Sequence, residues 1–314
     1  MQTKNLTYVT EIILVGLSNH RQTQIPLFCV ILLMYLLTVG GNLLIILLVR
    51  TSSHLQTPMY FFLMHLSGLE ICYVTSTLPQ MLAHLQSGNG TMSFPRCMAQ
   101  LYVSLSLGGA ECVLLGAMAY DRYLAICHPL TYAIIMGRWH QLQLASVSWA
   151  TGFLFASINM VCTLRLSFCG PNRLNHFFCE LPMLVKLACG DTHVTEAILF
   201  VLSTVASLGP LSVILTSYGL ILSTVLRMPS ASGRHKAFST CASHLAVVTM
   251  FYGTIISMYL IPRSHTAPDR DKQIAVIYVV ITPLLNPIIY TLRNKNIHRA
   301  VTKVLQRKVF ASKY

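Results

Sequence analysis

Seven stretches of mostly apolar residues, each long enough to cross a lipid bilayer as a helix, place the strongest constraint on the fold of this 314-residue chain. A bilayer core about 30 Å thick requires roughly 20 helical residues. Charged residues make up only 10% of the chain, whereas soluble proteins carry about 25%. The sequence therefore predicts an all-α membrane protein, a seven-transmembrane helix bundle with spans at Ile25–Val49, Met59–Leu82, Met98–Ala119, Leu142–Cys162, Ala197–Leu226, Ala237–Ile261 and Ile274–Leu292.

The distribution of positive charge predicts the orientation of the bundle. The net charge is +13, and with the N-terminus outside the cell most Lys and Arg residues fall on the cytoplasmic side, as the positive-inside bias requires. Glycosylation sequons at Asn5 and Asn89 then both lie outside. We expect an extracellular N-terminus (1–24), a seven-transmembrane domain (25–292) and a cytoplasmic tail (293–314). Nucleic-acid binding is the poorer interpretation of this charge, because the cations flank apolar spans.

The tail alternates apolar and basic residues at helical spacing. Ile297, Val301 and Val304 share one face, with Arg299 and Lys303 between them. This pattern predicts a C-terminal amphipathic surface helix that contacts the lipids of the inner leaflet. The alternative is a basic tail without regular structure.

A resemblance to a known family rests on five motifs that follow one another in order: PMYFFL (58–63), MAYDRYLAICHPL (118–130), SY (217–218), KAFSTCASHL (236–245) and PLLNPIIYTLRN (283–294). These motifs resemble those of the vertebrate olfactory (odorant) receptors, which are rhodopsin-like (class A) G-protein-coupled receptors. The resemblance extends from Gly41 into the tail and covers most of the chain.

The resemblance implies a plasma-membrane receptor, located in olfactory cilia, that binds a small volatile and mostly apolar odorant within the bundle. The expected partner is a heterotrimeric G protein of the olfactory stimulatory type, whose activation raises cyclic AMP. Two alternatives stay open: a non-olfactory chemosensory receptor of the same class, and a small transporter or channel, against which the lack of an internal repeat counts. We recognise no catalytic constellation and no glycine-rich phosphate loop, so we do not expect an enzyme.

One of these motifs places an Asp and an Arg at the inner end of the third span. A half-buried guanidinium requires a partner, and Asp121 is the anion nearest to Arg122, so we expect a charge-assisted pair. A snorkelling Arg at a helix end is the alternative. The resemblance implies a switch for activation and G-protein coupling at Asp121, Arg122, Tyr123, Tyr218, His244, Asn286, Pro287 and Tyr290.

Two carboxylates, Glu70 and Glu111, lie within the predicted spans, where an ionisable residue is costly and suggests a functional site. Together with Asn42 and Asn286 they match positions that line a sodium-binding cavity in related receptors, and hard cations prefer such oxygen ligands. The family usually has Asp where Glu70 stands. The alternatives are an allosteric sodium ion and a protonated, hydrogen-bonded pair of Glu side chains.

The ligand site is predicted from helical faces. Two adjacent glycines on the third span leave volume, and the family places further lining on spans five to seven. We find no acid or base in this set, which disfavours an amine or a nucleotide as ligand. The predicted lining comprises Ser104, Leu105, Gly108, Gly109, Cys112, Leu202, Ser203, Ala206, Tyr252, Ile255, Ile256, Tyr259, Val276 and Val279.

Four cysteines, Cys97, Cys169, Cys179 and Cys189, fall on the predicted outer side, where disulfides persist, and they allow three pairings. The family pattern implies Cys97–Cys179 and Cys169–Cys189, which would turn the long loop before span five into a lid. The segment His176–Glu180 is also similar to a metal motif, but oxidation of Cys179 would remove its soft ligand.

Overall fold

Long helices dominate the fold. The computed structural model describes residues 9–18, 20–169, 172–260 and 269–292. Within these residues the elements are β1 (Glu11–Leu14), α1 (Arg21–Thr51), a 3₁₀ turn (Ser53–Leu55), α2 (Pro58–Ser87), β2 (Thr91–Ser93), α3 (Phe94–Cys127), α4 (Pro129–Ile135), α5 (Arg138–Leu164), β3 (Ser167–Phe168), β4 (Arg173–Leu174), α6 (Leu181–Val185), β5 (Ala188–Cys189), α7 (His193–Leu226), α8 (Ala231–Ile255), a π-helical turn (Ile256–Leu260), α9 (Arg270–Val276), a second π-helical turn (Ile277–Ile281) and α10 (Thr282–Leu292).

Seven of these helical segments are long and apolar enough to cross a membrane, which confirms the predicted seven-helix bundle. The last two are composite, since Ala231–Leu260 and Arg270–Tyr290 each include a π-helical turn. Most of the helices are longer than the predicted spans, because they continue through polar residues beyond the apolar stretches that define the spans. The predicted tail helix, like the sequon at Asn5, lies outside the described residues.

Helix α3 forms the centre of the bundle and packs against α2, α5, α7 and α8. In the most apolar stretch of α3, 72% of the residues are buried inside the bundle, whereas in the corresponding stretch of α7 only 17% are buried. The contact with α5 is tight, because a Cβ at Gly152 would lie 2.2 Å from the carbonyl oxygen of Ser106. Large apolar side chains such as Leu33 and Val205 are instead exposed on the outside of the bundle, as expected for helices that face lipid.

A lid, formed by β1 to β5 together with α6, closes one end of the bundle. Strand β1 pairs antiparallel with β2 and parallel with β4, and its Ile12 and Leu14 are buried. Strands β3 and β5 pair antiparallel. Two disulfides, Cys97–Cys179 and Cys169–Cys189, join Cα atoms 5.4 and 5.6 Å apart. The first ties the lid to α3, so both pairings implied by the resemblance are confirmed.

Candidate functional site

A cavity lies beneath the lid, between α2, α3, α5, α7, α8 and the π-helical turns. Its volume is about 90 Å³, and since about 10–15 Å³ holds one water molecule, the cavity admits a small organic molecule. Its walls are mainly apolar. Nine of the predicted ligand residues line it, namely Ser104, Leu105, Gly108, Gly109, Cys112, Ser203, Ala206, Ile255 and Tyr259.

Five other residues predicted to bind the ligand do not line this cavity: Leu202, Tyr252, Ile256, Val276 and Val279. Instead, Phe251 replaces Tyr252 on α8, and Tyr278 contributes from the second π-helical turn. Of these five, Ile256 and Val279 lie within the two π-helical turns, where the helix departs from a regular 3.6-residue period. Tyr252 is buried and donates to the Cys112 carbonyl oxygen at 3.0 Å.

The expectation that no acid lines the site is wrong. The carboxyl groups of Glu111 and Glu180 both belong to residues of the cavity wall. Glu111 was already visible as an intramembrane carboxylate. Glu180 was not singled out for the cavity, although it directly follows Cys179, whose implied disulfide to Cys97 places it against α3.

Glu180 is the centre of a buried polar cluster at the lid end of the cavity. Tyr259 and Tyr278 donate to its Oε1 at 3.2 and 2.5 Å. His176 Nε2 lies 3.1 Å from its Oε2. Cys179 is oxidised and so offers no thiolate, and within the described ranges no group of three or more His, Cys, Asp or Glu is placed to hold a metal ion.

Gln100 positions this part of the lid, a role that sequence patterns did not indicate. Its amide oxygen accepts from the backbone N–H of Cys179 at 2.9 Å, and its amide nitrogen donates to the Ser76 carbonyl at 3.0 Å. The side chain is buried. Gln100 therefore adds a hydrogen bond between the lid and α3 to the disulfide, and it also ties α3 to α2.

The four residues predicted to hold sodium are all buried midway along the bundle. The Asn286 amide donates to Glu70 Oε1, Asn42 also contacts Glu70, and Glu111 lies within its electrostatic reach. Three oxygens, Asn42 Oδ1, Glu70 Oε2 and Asn286 Oδ1, have no hydrogen-bond partner among the described residues. Unpartnered buried oxygens are costly, and this donor set fits a hard cation.

The expected pair of Asp121 and Arg122 is wrong in its geometry. Asp121 accepts a hydrogen bond from the hydroxyl of Tyr132 in α4 at 2.8 Å. Burial raises the pKa of Tyr132, and the Asp121 carboxylate raises it further, so the phenol stays protonated and donates. Across the described part of the chain no ion pair within 4 Å includes Arg122, and its Nη2 is buried without a hydrogen-bond partner. Tyr132 reaches Asp121 because α4 packs against α3.

The other predicted switch residues surround Arg122. Tyr218 and His244 share a hydrogen bond of 2.6 Å between the phenol oxygen and Nδ1, which joins α7 to α8. Tyr218, His244 and Tyr290 all lie within electrostatic reach of Arg122. Tyr123 instead contacts His128 Nε2 at 2.9 Å. Pro287 lies inside α10, one residue after Asn286.

The fold and these two clusters define a class: a multi-pass membrane protein of the rhodopsin-like receptor type, with a small-molecule cavity under a disulfide-bonded lid and a polar network at the opposite end. The family profile described as "Olfactory receptor" matches residues 28–308. Human Olfactory receptor 11L1 is 49% identical over 98% of this chain and 96% of its own length, and mouse Olfactory receptor 2B6 is 47% identical over the whole of both. The chain belongs to the olfactory receptor family, and it is not an enzyme.

Proposed function

We propose that this protein is an odorant receptor that converts binding of a small, mostly apolar volatile into nucleotide exchange on a heterotrimeric G protein. The observation that carries the proposal is the small cavity under the lid, whose walls include α7 and α8. The same two helices are joined near Arg122 by the bond between Tyr218 and His244. A ligand that displaces α8 therefore acts on both ends of the bundle.

The ligand would favour one of two arrangements of α8, because it contacts Ile255 and Phe251 there and Ser203 on α7. A ligand shifts such an equilibrium only by its difference in affinity for the two states. Tilting of α8 would separate His244 from Tyr218 and expose the Arg122 guanidinium. An exposed Arg can then bind the carbonyl groups at the C-terminus of a G-protein helix.

The G protein of this proposal is of the olfactory stimulatory type, so its activation raises cyclic AMP, and the receptor resides in the plasma membrane of olfactory cilia. The lid faces outward, with the N-terminus and the sequon asparagines Asn5 and Asn89. Asn89 is exposed, and its side-chain oxygen accepts from the Thr91 N–H at 2.9 Å. This orientation supports glycosylation at Asn89.

Sodium would be held by Asn42, Glu70, Glu111 and Asn286, and it would supply a positive charge between the two carboxyl groups. Its binding would stabilise the receptor, because a ligand of the folded state raises the melting temperature. The purified receptor should melt higher in sodium chloride than in N-methylglucamine chloride of equal ionic strength. Glu70→Gln should remove that difference. Equal melting of the native receptor in both salts would favour the protonated pair of Glu side chains.

A screen of volatile compounds in cells that express the receptor tests the main proposal, with cyclic AMP as the readout. At least one compound should raise cyclic AMP in a saturable manner, and the response should require the receptor at the cell surface. No response to a broad panel, with normal surface expression and a functioning G protein, would contradict the proposal.

A further inference from the structure

We propose that the ligand enters the cavity from the outer leaflet of the membrane, through a groove between α6, α7 and the end of α8. This inference rests on the proposed function, which supplies a small, mostly apolar ligand and the outward orientation of the lid. It goes beyond that function by assigning a second ligand site, on the path from the lipid to the cavity. The position of the groove, its lining and the closed lid lead to it.

The groove is a space of about 610 Å³ at the lid end of the bundle. Its walls come from α6, from residues 193–203 of α7 and from the π-helical turn that follows α8. Pockets of this size bind small organic molecules. The groove therefore has room for the ligand outside the cavity.

The groove adjoins the cavity, because Ser203 and Tyr259 line both. Ser203 belongs to α7 and Tyr259 to the π-helical turn, and both residues are half-buried. Tyr259 donates to Glu180 at 3.2 Å, which holds the phenol in place. Ser203 is the smaller of the two, and side chains change rotamer far faster than helices move. A ligand can therefore cross this boundary without an opening of the bundle.

The groove opens on the lipid-facing surface of the bundle. Phe200 lines it and is 53% exposed, and the neighbouring Val201 is 57% exposed. Large apolar side chains on the outside of a membrane helix face lipid. At the outer end of the groove, His193 and Glu196 are exposed polar residues in the first turn of α7. Because polar side chains belong at the level of the lipid headgroups, the groove extends from the membrane interface into the apolar part of the leaflet.

The lid closes the direct path from the aqueous side. Phe178, Cys179 and Glu180 line the cavity from the lid, and each of them is at most 2% exposed. The disulfide to Cys97 and the hydrogen bond to Gln100 fix this segment to α3. A ligand that came straight from water would have to displace a segment held by a covalent bond. Entry through the groove leaves the segment in place.

Partition of the ligand into lipid favours the same route. Each CH₂ group raises the concentration of an apolar molecule in the bilayer about fourfold relative to water. The groove thus faces the compartment in which the ligand is most concentrated. A path of entry changes the rates of binding and release, but it leaves the equilibrium affinity unchanged, since that affinity depends only on the free and bound states.

Covalent labelling of Cys112 measures access to the cavity without any signalling step. Cys112 lines the cavity, is buried and is not in a disulfide. The probe is methyl methanethiosulfonate, a small uncharged reagent that converts a thiol to its methyl disulfide and releases methanesulfinate. The purified receptor is held in lipid nanodiscs, and peptide mass spectrometry follows labelling with time. Cys29, which is exposed on α1, reports delivery of the reagent to the lipid-facing surface.

Ala197→Trp is the variant that fills the groove. Ala197 lines the groove and is exposed, so a larger side chain there does not disturb the core. The variant should slow labelling of Cys112 about tenfold or more, because the reagent must displace the indole, and it should leave labelling of Cys29 unchanged. Val205→Trp is the matched control, since Val205 is 66% exposed on the same helix and is not among the described residues that line the groove or the cavity. It should keep the native rate.

A second measurement separates an entry path from a second site of stable binding. In nucleotide exchange with a ligand from the screen, Ala197→Trp should delay the onset of the response and keep the native half-maximal concentration. A changed half-maximal concentration with a native onset would mean that the groove holds a bound ligand of its own, and the entry path would be refuted.

Native rates of Cys112 labelling in Ala197→Trp would overturn the inference, as would equal slowing in Val205→Trp. A native receptor in which Cys29 reacts and Cys112 stays unlabelled would overturn it too. If Ala197→Trp does not fold, Ala197→Leu, which introduces a good helix former, should slow labelling about threefold. Slowed labelling in a receptor that no volatile compound activates would instead refute the proposed function and leave this inference standing.

Discussion

At the scale of single residues, Gly108 and Gly109 of α3 differ in their surroundings. A Cβ at Gly108 would meet nothing within 4 Å, whereas one at Gly109 would lie 3.2 Å from the Gly152 Cα. Gly108 therefore leaves space in the cavity, and Gly109 permits close packing of α3 on α5. Of these two adjacent glycines, Gly108 thus provides space for a ligand, and Gly109 allows the close contact between α3 and α5.

Gly108→Leu should fill the cavity and raise the half-maximal ligand concentration at least about tenfold, with normal surface expression, because a leucine side chain occupies the space of several ligand atoms. Dose–response curves for cyclic AMP measure this. Gly152→Ala is the contrasting variant, since its Cβ would lie 2.6 Å from the Ala110 nitrogen; it should cost about 1–3 kcal/mol of stability. Unchanged potency of Gly108→Leu would mean that the ligand binds elsewhere.

The bond from Tyr132 to Asp121 gives a second residue-scale prediction. Tyr132→Phe leaves a buried carboxylate without this donor and should lower the stability of the purified receptor by about 1–3 kcal/mol. Thermal unfolding in detergent measures the change. Tyr120→Phe is the control, because the Tyr120 hydroxyl makes no hydrogen bond to another described residue. Equal melting of the two variants would mean that the bond adds nothing to stability.

At the scale of elements, β1 holds the lid together. Its Leu14 N–H donates to the Gly90 carbonyl at 3.0 Å, and the Val15 N–H donates to that of Leu174 at 2.9 Å. A Cβ at Gly90 would lie 2.1 Å from the Leu14 carbonyl oxygen and 2.5 Å from a ring carbon of His84. Only glycine fits between β1 and α2.

Gly90→Ala should therefore detach β1 and accelerate amide exchange at Leu14 and Val15 by about tenfold or more, since these hydrogen bonds would open locally. Hydrogen–deuterium exchange with mass spectrometry of the lid peptides measures the effect. Gly219→Ala on α7, where a Cβ meets nothing within 4 Å, is the control. Native exchange rates in Gly90→Ala would show that β1 tolerates the side chain.

At the scale of the whole molecule, the seven spans could be predicted because hydrophobicity and bilayer thickness act on contiguous residues. The cavity face of α3 was also predictable, since α3 is a regular helix through Ser104, Gly108 and Cys112. Within the two π-helical turns the lining was predicted only in part: Tyr259 lines the cavity, whereas Ile256 and Val279 do not, and the geometry of a π-helical turn depends on the packing around it. Glu180 and Tyr132 were missed for another reason: Glu180 directly precedes α6 in the lid and Tyr132 lies on the short helix α4, and no local periodicity encodes how these connecting segments fold onto the bundle.

In the proposed mechanism, Arg122 is the residue through which ligand binding at the lid end reaches a G protein at the other end. The most direct measurement is nucleotide exchange on a purified stimulatory G protein, with the receptor in proteoliposomes and a ligand found in the screen. The native receptor should accelerate exchange in proportion to ligand occupancy, and Arg122→Ala should abolish the acceleration while still binding the ligand. Exchange that survives in Arg122→Ala at normal potency, or ligand-dependent flux in proteoliposomes without G protein, would contradict the account.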